Sequence, residues 1–305
     1  MPAALEISSL QKTYANGFEA LKGIDLNVQE GDFYALLGPN GAGKSTTIGI
    51  VSSLVSKSDG KVRICGIDID DDFSLAKKQI GIVPQEFNFN VFERVEDVLI
   101  HQAGYYGIPI GLARQRAVYY LEKLGIADKQ HVQMRMLSGG MKRRLMIARA
   151  LIHEPRVLIL DEPTAGVDIE MRRSMYEFLR ETNEEGRTII LTTHYLEEAE
   201  MLCRNVAIIN HGKIVTQGSI KDLLRDLNSE TFLLDTQDAL PSGIEVPGFA
   251  LRQVEPQCLE VDLAKGQDLA QVFTALSGAG VTVVSMRNKE NRLERMFVNV
   301  LEGAS

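Results

Sequence analysis

The chain has 305 residues, of which 45% are hydrophobic, and a formal net charge of −8. This length exceeds the roughly 100–200 residues of a common single domain, so we expect one large domain and a smaller one. The acidic balance argues against a nucleic-acid partner, and a solvated helix face explains the densest basic run, 142–144. No run approaches the roughly 20 apolar residues that span a bilayer, and the start lacks a signal-peptide pattern. We therefore expect a chain that is cytosolic or bound to a membrane through a partner.

Alternating apolar residues in the first thirty positions predict antiparallel strands, because Asn16-Gly17 is a favoured tight-turn pair. Tyr14, within this region, has two interpretations. Its ring could stack on a nucleotide base, since an aromatic face binds any base, or it could pack on neighbouring strand residues. The pattern alone leaves both open.

The segment that follows the next apolar strand, 33–37, has the pattern of a phosphate-binding loop. A helical pattern begins directly after it. Its glycines let backbone N–H groups approach phosphates, a lysine adds a cation, and a serine hydroxyl suits Mg²⁺. This is the Walker A pattern, and its residues are Gly38, Pro39, Asn40, Gly41, Ala42, Gly43, Lys44, Ser45 and Thr46.

Gln85 follows a short apolar strand that a proline stops. A polar amide beyond the carboxyl end of a strand lies where open α/β sheets bind ligands, so Gln85 is a candidate for sensing the metal or the γ-phosphate. The spacing from Glu86 to Arg135 is helical, which predicts an inserted helical segment at about 86–150. Within that insert, Ser138, Gly139 and Gly140 begin a helix. Such a turn is either a second anion site or only a helix cap.

Two carboxylates end the apolar strand 157–160. Adjacent strand residues point to opposite sides, so Asp161 and Glu162 need not share a role. Asp161 can hold Mg²⁺ through its water shell, and Glu162 can orient and deprotonate an attacking water. A helix is expected after Asp168, and the following strand places His194 just past its end, at the same sheet edge.

These motifs, in this order and spacing, resemble the ATP-binding subunit of an ABC transporter over about residues 5–225. The residues in and around these motifs are more similar to those of the drug- and polysaccharide-export branch than to those of importers. The resemblance implies an α/β fold of the P-loop NTPase, ABC type, with an antiparallel β subdomain and a helical insert. It also places Tyr14 where the family has a base-stacking aromatic, and Asp168 among the nucleotide-binding residues.

The resemblance further implies a head-to-tail homodimer. Gly38–Thr46 of one chain and Ser138–Gly140 of the other would enclose each ATP, so the two anion sites belong to different ATP molecules. One departure is visible, because the family signature usually ends in Gln where this chain has Met141. The amides of the serine and glycines remain, and these should preserve γ-phosphate binding.

The leading hypothesis is an ATPase subunit that hydrolyses ATP to ADP and phosphate with Mg²⁺. It would drive a separate polytopic membrane subunit of an export-type transporter from the inner face of the cell membrane. One alternative is a soluble ABC ATPase of translation or DNA maintenance, although those usually carry two cassettes or a long coiled coil. The other is a regulatory ATP-binding protein with little turnover, against which the intact Glu162 and His194 speak.

Two regions complete the prediction. The ABC domain is expected over 1–228, and 229–305 is expected to form an accessory α+β domain. The strands of that domain are predicted at 231–234, 251–254, 259–263 and 281–284, and its helices at 269–276 and 293–301.

Beside Gln85, the aromatic residues Phe87, Phe89 and Phe92 either fill the core or form a loop rim. In the family, this region is where the membrane subunit docks.

Overall fold

The computed structural model describes residues 2–164, 167–193, 195–225, 229–240, 245–264, 266–289 and 291–303. The chain divides into two compact units, residues 1–218 and 219–305. This division lies ahead of the boundary at 228/229 expected from the sequence. The reason is a short helix, Ile220–Arg225, which packs against the last helix of the second unit.

The first unit alternates strands and helices along most of its length. Its strands are β1 (Ala3–Thr13), β2 (Glu19–Gln29), β3 (Phe33–Leu37), β4 (Asp59–Ile64), β5 (Ile67–Asp68), β6 (Ile80–Val83), β7 (Val157–Asp161), β8 (Thr188–Thr192), β9 (Asn205–Asn210) and β10 (Lys213–Ser219). Its helices are α1 (Lys44–Val51), α2 (Phe73–Lys78), α3 (Val95–Tyr105), α4 (Ile110–Lys123), α5 (Gly139–Leu151), α6 (Ile169–Glu184) and α7 (Leu196–Leu202).

The antiparallel subdomain is a sheet in the order β2-β1-β4-β5 among the described residues. The predicted hairpin of β1 and β2 is confirmed, and its turn contains Gly17 with φ +82°, a conformation that glycine adopts at little cost. Apolar residues of this sheet, such as Leu10 and Val62, share one buried core with Ile50 of α1 and Ile159 of the central sheet. The subdomain therefore packs over the helix that follows the predicted phosphate loop.

The central sheet has the order β10-β9-β3-β8-β7-β6 within the described part of the chain. Strands β3, β6, β7, β8 and β9 pair in parallel, with Leu36 and Asp161 both in register with Thr192 and with Val83 in register with Leu160. Strands β3 and β8 are buried throughout, as continuous apolar runs in parallel sheets should be. Their common register brings the carboxyl ends of these strands to one edge.

The helical insert consists of α3, α4 and α5, with short 3₁₀ turns at Ala127–Lys129 and Met134–Met136 between α4 and α5. Regular helix begins only at Val95, so residues 86–94, for which the spacing predicted helix, form a loop. Helix α2 was not predicted. It begins after Asp72, whose carboxylate accepts a hydrogen bond from Leu75 N–H at 2.9 Å and caps the helix.

The second unit begins with α8 (Ile220–Arg225) and contains β11 (Ser229–Thr236), β12 (Ala250–Glu255), β13 (Cys258–Ala264), α9 (Leu269–Gly278), β14 (Val283–Asn288) and α10 (Arg292–Gly303). Its antiparallel sheet has the order β12-β13-β11-β14 among the described residues. The core lies between this sheet and α9 and includes Leu234, Val261 and Leu276. The predicted fold class, an ABC-type P-loop NTPase with an antiparallel subdomain, a helical insert and a small α+β unit, is confirmed. In the described parts of both units, no helix combines the length and the apolar character that crossing a bilayer requires.

Candidate active site

The phosphate loop joins the buried strand β3 to α1 and keeps a conformation that depends on glycine. Gly41 has φ +79° and Gly43 has φ +119°, both in the region that side chains disfavour. A Cβ on Gly43 would lie 2.8 Å from Cδ2 of Leu21 and 3.0 Å from the Ala20 carbonyl oxygen. The loop therefore packs directly on β2, and only glycine fits at position 43.

Lys44, the first residue of α1, is held inside this loop. Its ammonium donates to the carbonyl oxygens of Gly38 at 2.6 Å and Pro39 at 3.1 Å, and only 6% of the residue is exposed. Burial lowers the pKa of Lys44, and the nearby carboxylates of Glu162 and Asp161 partly oppose this shift. The cation thus lies within the field of both carboxylates, at the N-terminus of a helix.

Tyr14 lies beside the far end of the loop. Its hydroxyl is 3.3 Å from Oγ1 of Thr46, its ring stacks on Phe18 with centroids 6.5 Å apart, and 37% of the residue is exposed. Tyr14 directly follows β1, and its ring both packs on Phe18 and is partly exposed to solvent, so the two alternatives stay open. An exposed ring next to a phosphate loop can stack on a base.

The two carboxylates occupy different environments, as the strand geometry predicts. Asp161 ends β7 and accepts a hydrogen bond from the Thr192 hydroxyl on the neighbouring strand. Glu162 has φ +48°, a left-handed conformation unusual for a side-chain-bearing residue, and its N–H donates to the Thr192 carbonyl oxygen at 3.0 Å. Strained backbone of this kind is common where a side chain must point at a reaction centre.

Gln85 contacts the second carboxylate. Its amide Nε2 donates to Oε2 of Glu162 at 3.1 Å, although the two residues are far apart in the chain. The structure thus joins Gln85, Glu162, Asp161 and the Lys44 loop at one sheet edge. The oxygen donors of Ser45, Gln85 and Asp161 are the kinds of ligand that Mg²⁺ prefers, so the residues fit this ion.

The predicted solvated face at 142–144 is wrong for two of its three residues. Arg143 is 4% exposed and donates to the carbonyl oxygens of Pro84 and Gln85, each at 2.9 Å. Arg144 donates to the Leu124 carbonyl oxygen at 3.0 Å and to the Ser174 hydroxyl at 2.6 Å. A helical wheel could have found Arg143, because it shares a face with buried Met146 and Ile147.

The second predicted anion site lies at the start of α5. The Ser138 hydroxyl accepts a hydrogen bond from Met141 N–H at 3.3 Å, which confirms the helix cap but does not test anion binding. A Cβ on Gly139 would meet nothing within 4 Å, whereas one on Gly140 would lie 1.6 Å from Sδ of Met171. Gly139 is thus open to an approaching molecule, whereas the Met171 side chain of α6 covers Gly140.

Asp168 caps α6, since its carboxylate accepts a hydrogen bond from Met171 N–H at 2.9 Å. Met171 therefore contacts both the cap of α6 and Gly140, and it brings Asp168 close to the second anion site. His194, Ala165 and Gly166 lie outside the described residues, so the predicted position of His194 stays a prediction.

Comparisons with known proteins agree with this geometry. The family described as ABC transporter matches residues 21–165. The linearmycin resistance ATP-binding protein LnrL of Bacillus subtilis is 34% identical over 304 residues, covering 97% of each chain. The daunorubicin/doxorubicin resistance ATP-binding protein DrrA of Streptomyces peucetius is 36% identical over 97% of this chain and 91% of that protein.

This chain belongs to the ABC transporter ATP-binding subunits. The Nod factor export ATP-binding protein I of Burkholderia pseudomallei is 37% identical over 82% of both chains. Among solved structures, an ATP-binding subunit of an ABC transporter superposes with a TM-score of 0.67 at 29% identity, covering 73% of this chain and 92% of that one. The cassette MJ0796, in a dimeric post-hydrolysis state bound to ADP and phosphate, gives 0.65 at 28% identity, over 71% and 98%. As an ABC ATPase, this chain binds and hydrolyses ATP.

The crowding at Gly43 gives a test of the loop. Gly43→Ala forces a Cβ against β2 at φ +119°. We expect a loss of about 2–4 kcal/mol in the free energy of unfolding, measured with urea, from backbone strain and overpacking together. Gly41→Ala is the matched control, because φ is +79° there but no atom lies within 4 Å, and its expected cost is about 1–2 kcal/mol. Equal losses at the two positions would contradict the packing of the loop on β2.

Proposed function

We propose that this chain is the ATP-hydrolysing subunit of an export-type ABC transporter. It acts as a head-to-tail homodimer and drives a separate polytopic membrane subunit, next to which it lies on the inner, cytoplasmic face of the cell membrane. The proposal is supported by the relatives whose names include drug resistance and Nod factor export. Residues 219–305 are proposed to be an accessory unit, which leaves the chemistry to the first unit.

The observation that carries the proposal is the convergence at one sheet edge. The Lys44 ammonium, the Gln85 amide and two carboxylates meet there, with Gln85 Nε2 3.1 Å from Glu162 Oε2. A cation and backbone N–H groups suit phosphates, and a carboxylate held by an amide suits a water-activating base. Phosphoryl transfer needs this combination of charge stabilisation and positioning.

Each predicted residue then has a proposed role. Backbone N–H groups of Gly38–Thr46 and the Lys44 ammonium bind the β- and γ-phosphates, and Tyr14 stacks on the base. Ser45, Asp161 and Gln85 hold Mg²⁺, which neutralises phosphate charge when it is bound. His194 is proposed, from its place in the sequence, to be a catalytic residue at the same sheet edge, and Ser138–Gly140 with Asp168 face the ATP of the partner chain.

Hydrolysis depends on where Glu162 holds its carboxylate. The left-handed backbone at Glu162 and the hydrogen bond from Gln85 fix the side chain at the sheet edge. The carboxylate orients a water molecule for in-line attack and accepts its proton as the bond from oxygen to phosphorus forms. The bond between the γ-phosphorus and the bridging oxygen breaks in the same reaction, and Lys44 stabilises the negative charge that develops on the departing ADP.

Glu162→Gln tests the general base. The amide keeps the size of the side chain but cannot take a proton, so hydrolysis should fall by roughly 10²–10⁴-fold while ATP affinity stays nearly constant. The measurements are steady-state phosphate release and equilibrium binding of a fluorescent ATP analogue. Lys44→Ala is the contrasting variant, because it should lose affinity as well as turnover. Near-normal turnover in Glu162→Gln would remove Glu162 from the role of base.

The aromatic residues beside Gln85 test the contact with the membrane subunit. Phe87 is 47% and Phe92 65% exposed, and Phe89 is half-buried, so the alternative that all three fill the core is wrong. Exposed aromatic side chains at a loop rim suit a partner helix. Phe92→Ala should leave basal ATPase within a few-fold and weaken co-purification with the membrane subunit. Tyr105→Ala, at an 86% exposed residue of α3, is the control, and an equal loss for both variants would argue against this loop.

A further inference from the structure

Helix α5 holds the loop that carries Gln85. Arg143 reaches from this helix to the carbonyl oxygens of two consecutive residues, Pro84 and Gln85, at 2.9 Å each. Its guanidinium also lies over the ring of Phe87, 5.1 Å from the centroid. A planar group with divergent N–H bonds can hold two adjacent carbonyls at once, and a lysine ammonium lacks this geometry.

A second arginine of the same helix extends the attachment. Arg149 donates to Oδ1 of Asn88 at 2.6 Å and lies over the ring of Phe89, 4.7 Å from the centroid. Arg143 and Arg149 together contact five of the six residues from Pro84 to Phe89. The position of the loop after β6 therefore depends on α5 as well as on the central sheet.

The cost of burying Arg143 indicates that its contacts serve more than packing. The guanidinium is almost fully buried, its Nε has no hydrogen-bond partner, and burial lowers the pKa of Arg143 while the Asp161 carboxylate opposes this shift. An uncompensated buried charge is expensive, so two carbonyl bonds and a nearby carboxylate are needed to keep it there. The charge that fixes the Gln85 backbone is thus also close to the proposed metal ligand.

We propose that Arg143 is a positioning residue that sets the contact between Gln85 and Glu162. By holding the backbone carbonyl of Gln85, Arg143 fixes the direction in which the Gln85 side chain points. The amide Nε2 at the end of that side chain lies 3.1 Å from Oε2 of Glu162. The same helix begins at the exposed turn of Ser138 and Gly139. This inference rests on the proposed function, in which that turn contacts the ATP of the partner chain. If α5 moves when its first turn binds that ATP, the backbone of Gln85 would move with it. The position of the Glu162 carboxylate in the same chain would then change.

A double-mutant cycle tests whether Arg143 acts through Gln85. Arg143→Lys should lower kcat by about 10-fold with the ATP dissociation constant changed by less than about 3-fold, because positioning affects the reacting geometry more than binding. In a Gln85→Ala background, the same change should cost no more than about 2-fold, since residues that act through one contact are not additive. Full additivity, or an unchanged kcat in Arg143→Lys alone, would overturn the proposal.

The matched control is Arg116→Lys. Arg116 also donates to a backbone carbonyl oxygen, that of Ile152 at 3.2 Å, and it pairs with Glu154, away from Gln85. We expect kcat of this variant within about 2-fold of the parent chain and an additive effect with Gln85→Ala. A loss as large as that of Arg143→Lys would show a general effect of removing guanidinium groups that bind backbone carbonyls and would overturn the proposal.

A readout independent of turnover uses the absence of tryptophan from the sequence. Phe87→Trp introduces a single indole beneath the Arg143 guanidinium, and acrylamide quenching of its fluorescence reports how tightly the loop is held. Adding Arg143→Lys should raise the quenching constant by about 2-fold or more, and adding Arg116→Lys should not, because only the first releases the loop. Unchanged quenching with Arg143→Lys would overturn the proposal.

Two further results keep the test decisive. If Arg143→Lys does not fold, Arg149→Lys in the same Phe87→Trp background should raise quenching by a smaller amount, and no rise would overturn the proposal. If Glu162→Gln retains turnover, the assignment of the base fails. The quenching experiment still decides whether α5 holds the loop, so the two failures can be told apart.

Discussion

The site depends on one constraint, that neighbouring parallel strands of a sheet end at the same edge. Strands β3, β8, β7 and β6 lie side by side, and their interiors are apolar and buried, so polar groups are confined to their ends. Lys44, Gln85 and Asp161 follow or end three of these strands. They are distant in the chain, yet the register of the sheet brings them together without long loops.

The electrostatics of this edge explain which ligand fits it. The Lys44 ammonium lies in the field of Asp161 and Glu162, and its own loop carbonyls accept its hydrogen bonds. A phosphate chain alone would meet two carboxylates and be repelled. A phosphate chain that arrives with a divalent cation offers that cation to Asp161 and leaves the anionic oxygens to Lys44 and the helix N-terminus. The site therefore suits a metal-bound nucleotide better than a free anion.

The sequence predicted most of this arrangement because its signals are local. The phosphate loop, the carboxylates at the end of β7 and the capped turn at Ser138 are short segments with strict residue requirements. The strands and helices of 229–305 were found by periodicity alone. Helix α2 was missed because its six residues carry too little periodic signal. Arg143 was missed for a different reason. A helical wheel places it on the buried face of α5, but its partners are backbone carbonyls on a distant segment, and no residue pattern records those partners.

The central claim is that each ATP lies between the phosphate loop of one chain and the Ser138–Gly140 turn of another, and subunit complementation tests it most directly. Lys44→Ala disables the first element. Gly139→Arg blocks the second, and it suits a folded chain because a Cβ at Gly139 meets nothing within 4 Å. Each variant alone should be inactive, whereas a mixture should recover up to about a quarter of the parent ATPase activity, because half of the dimers carry one intact site. A mixture as inactive as its components, with mixed dimers shown to form, would contradict the account.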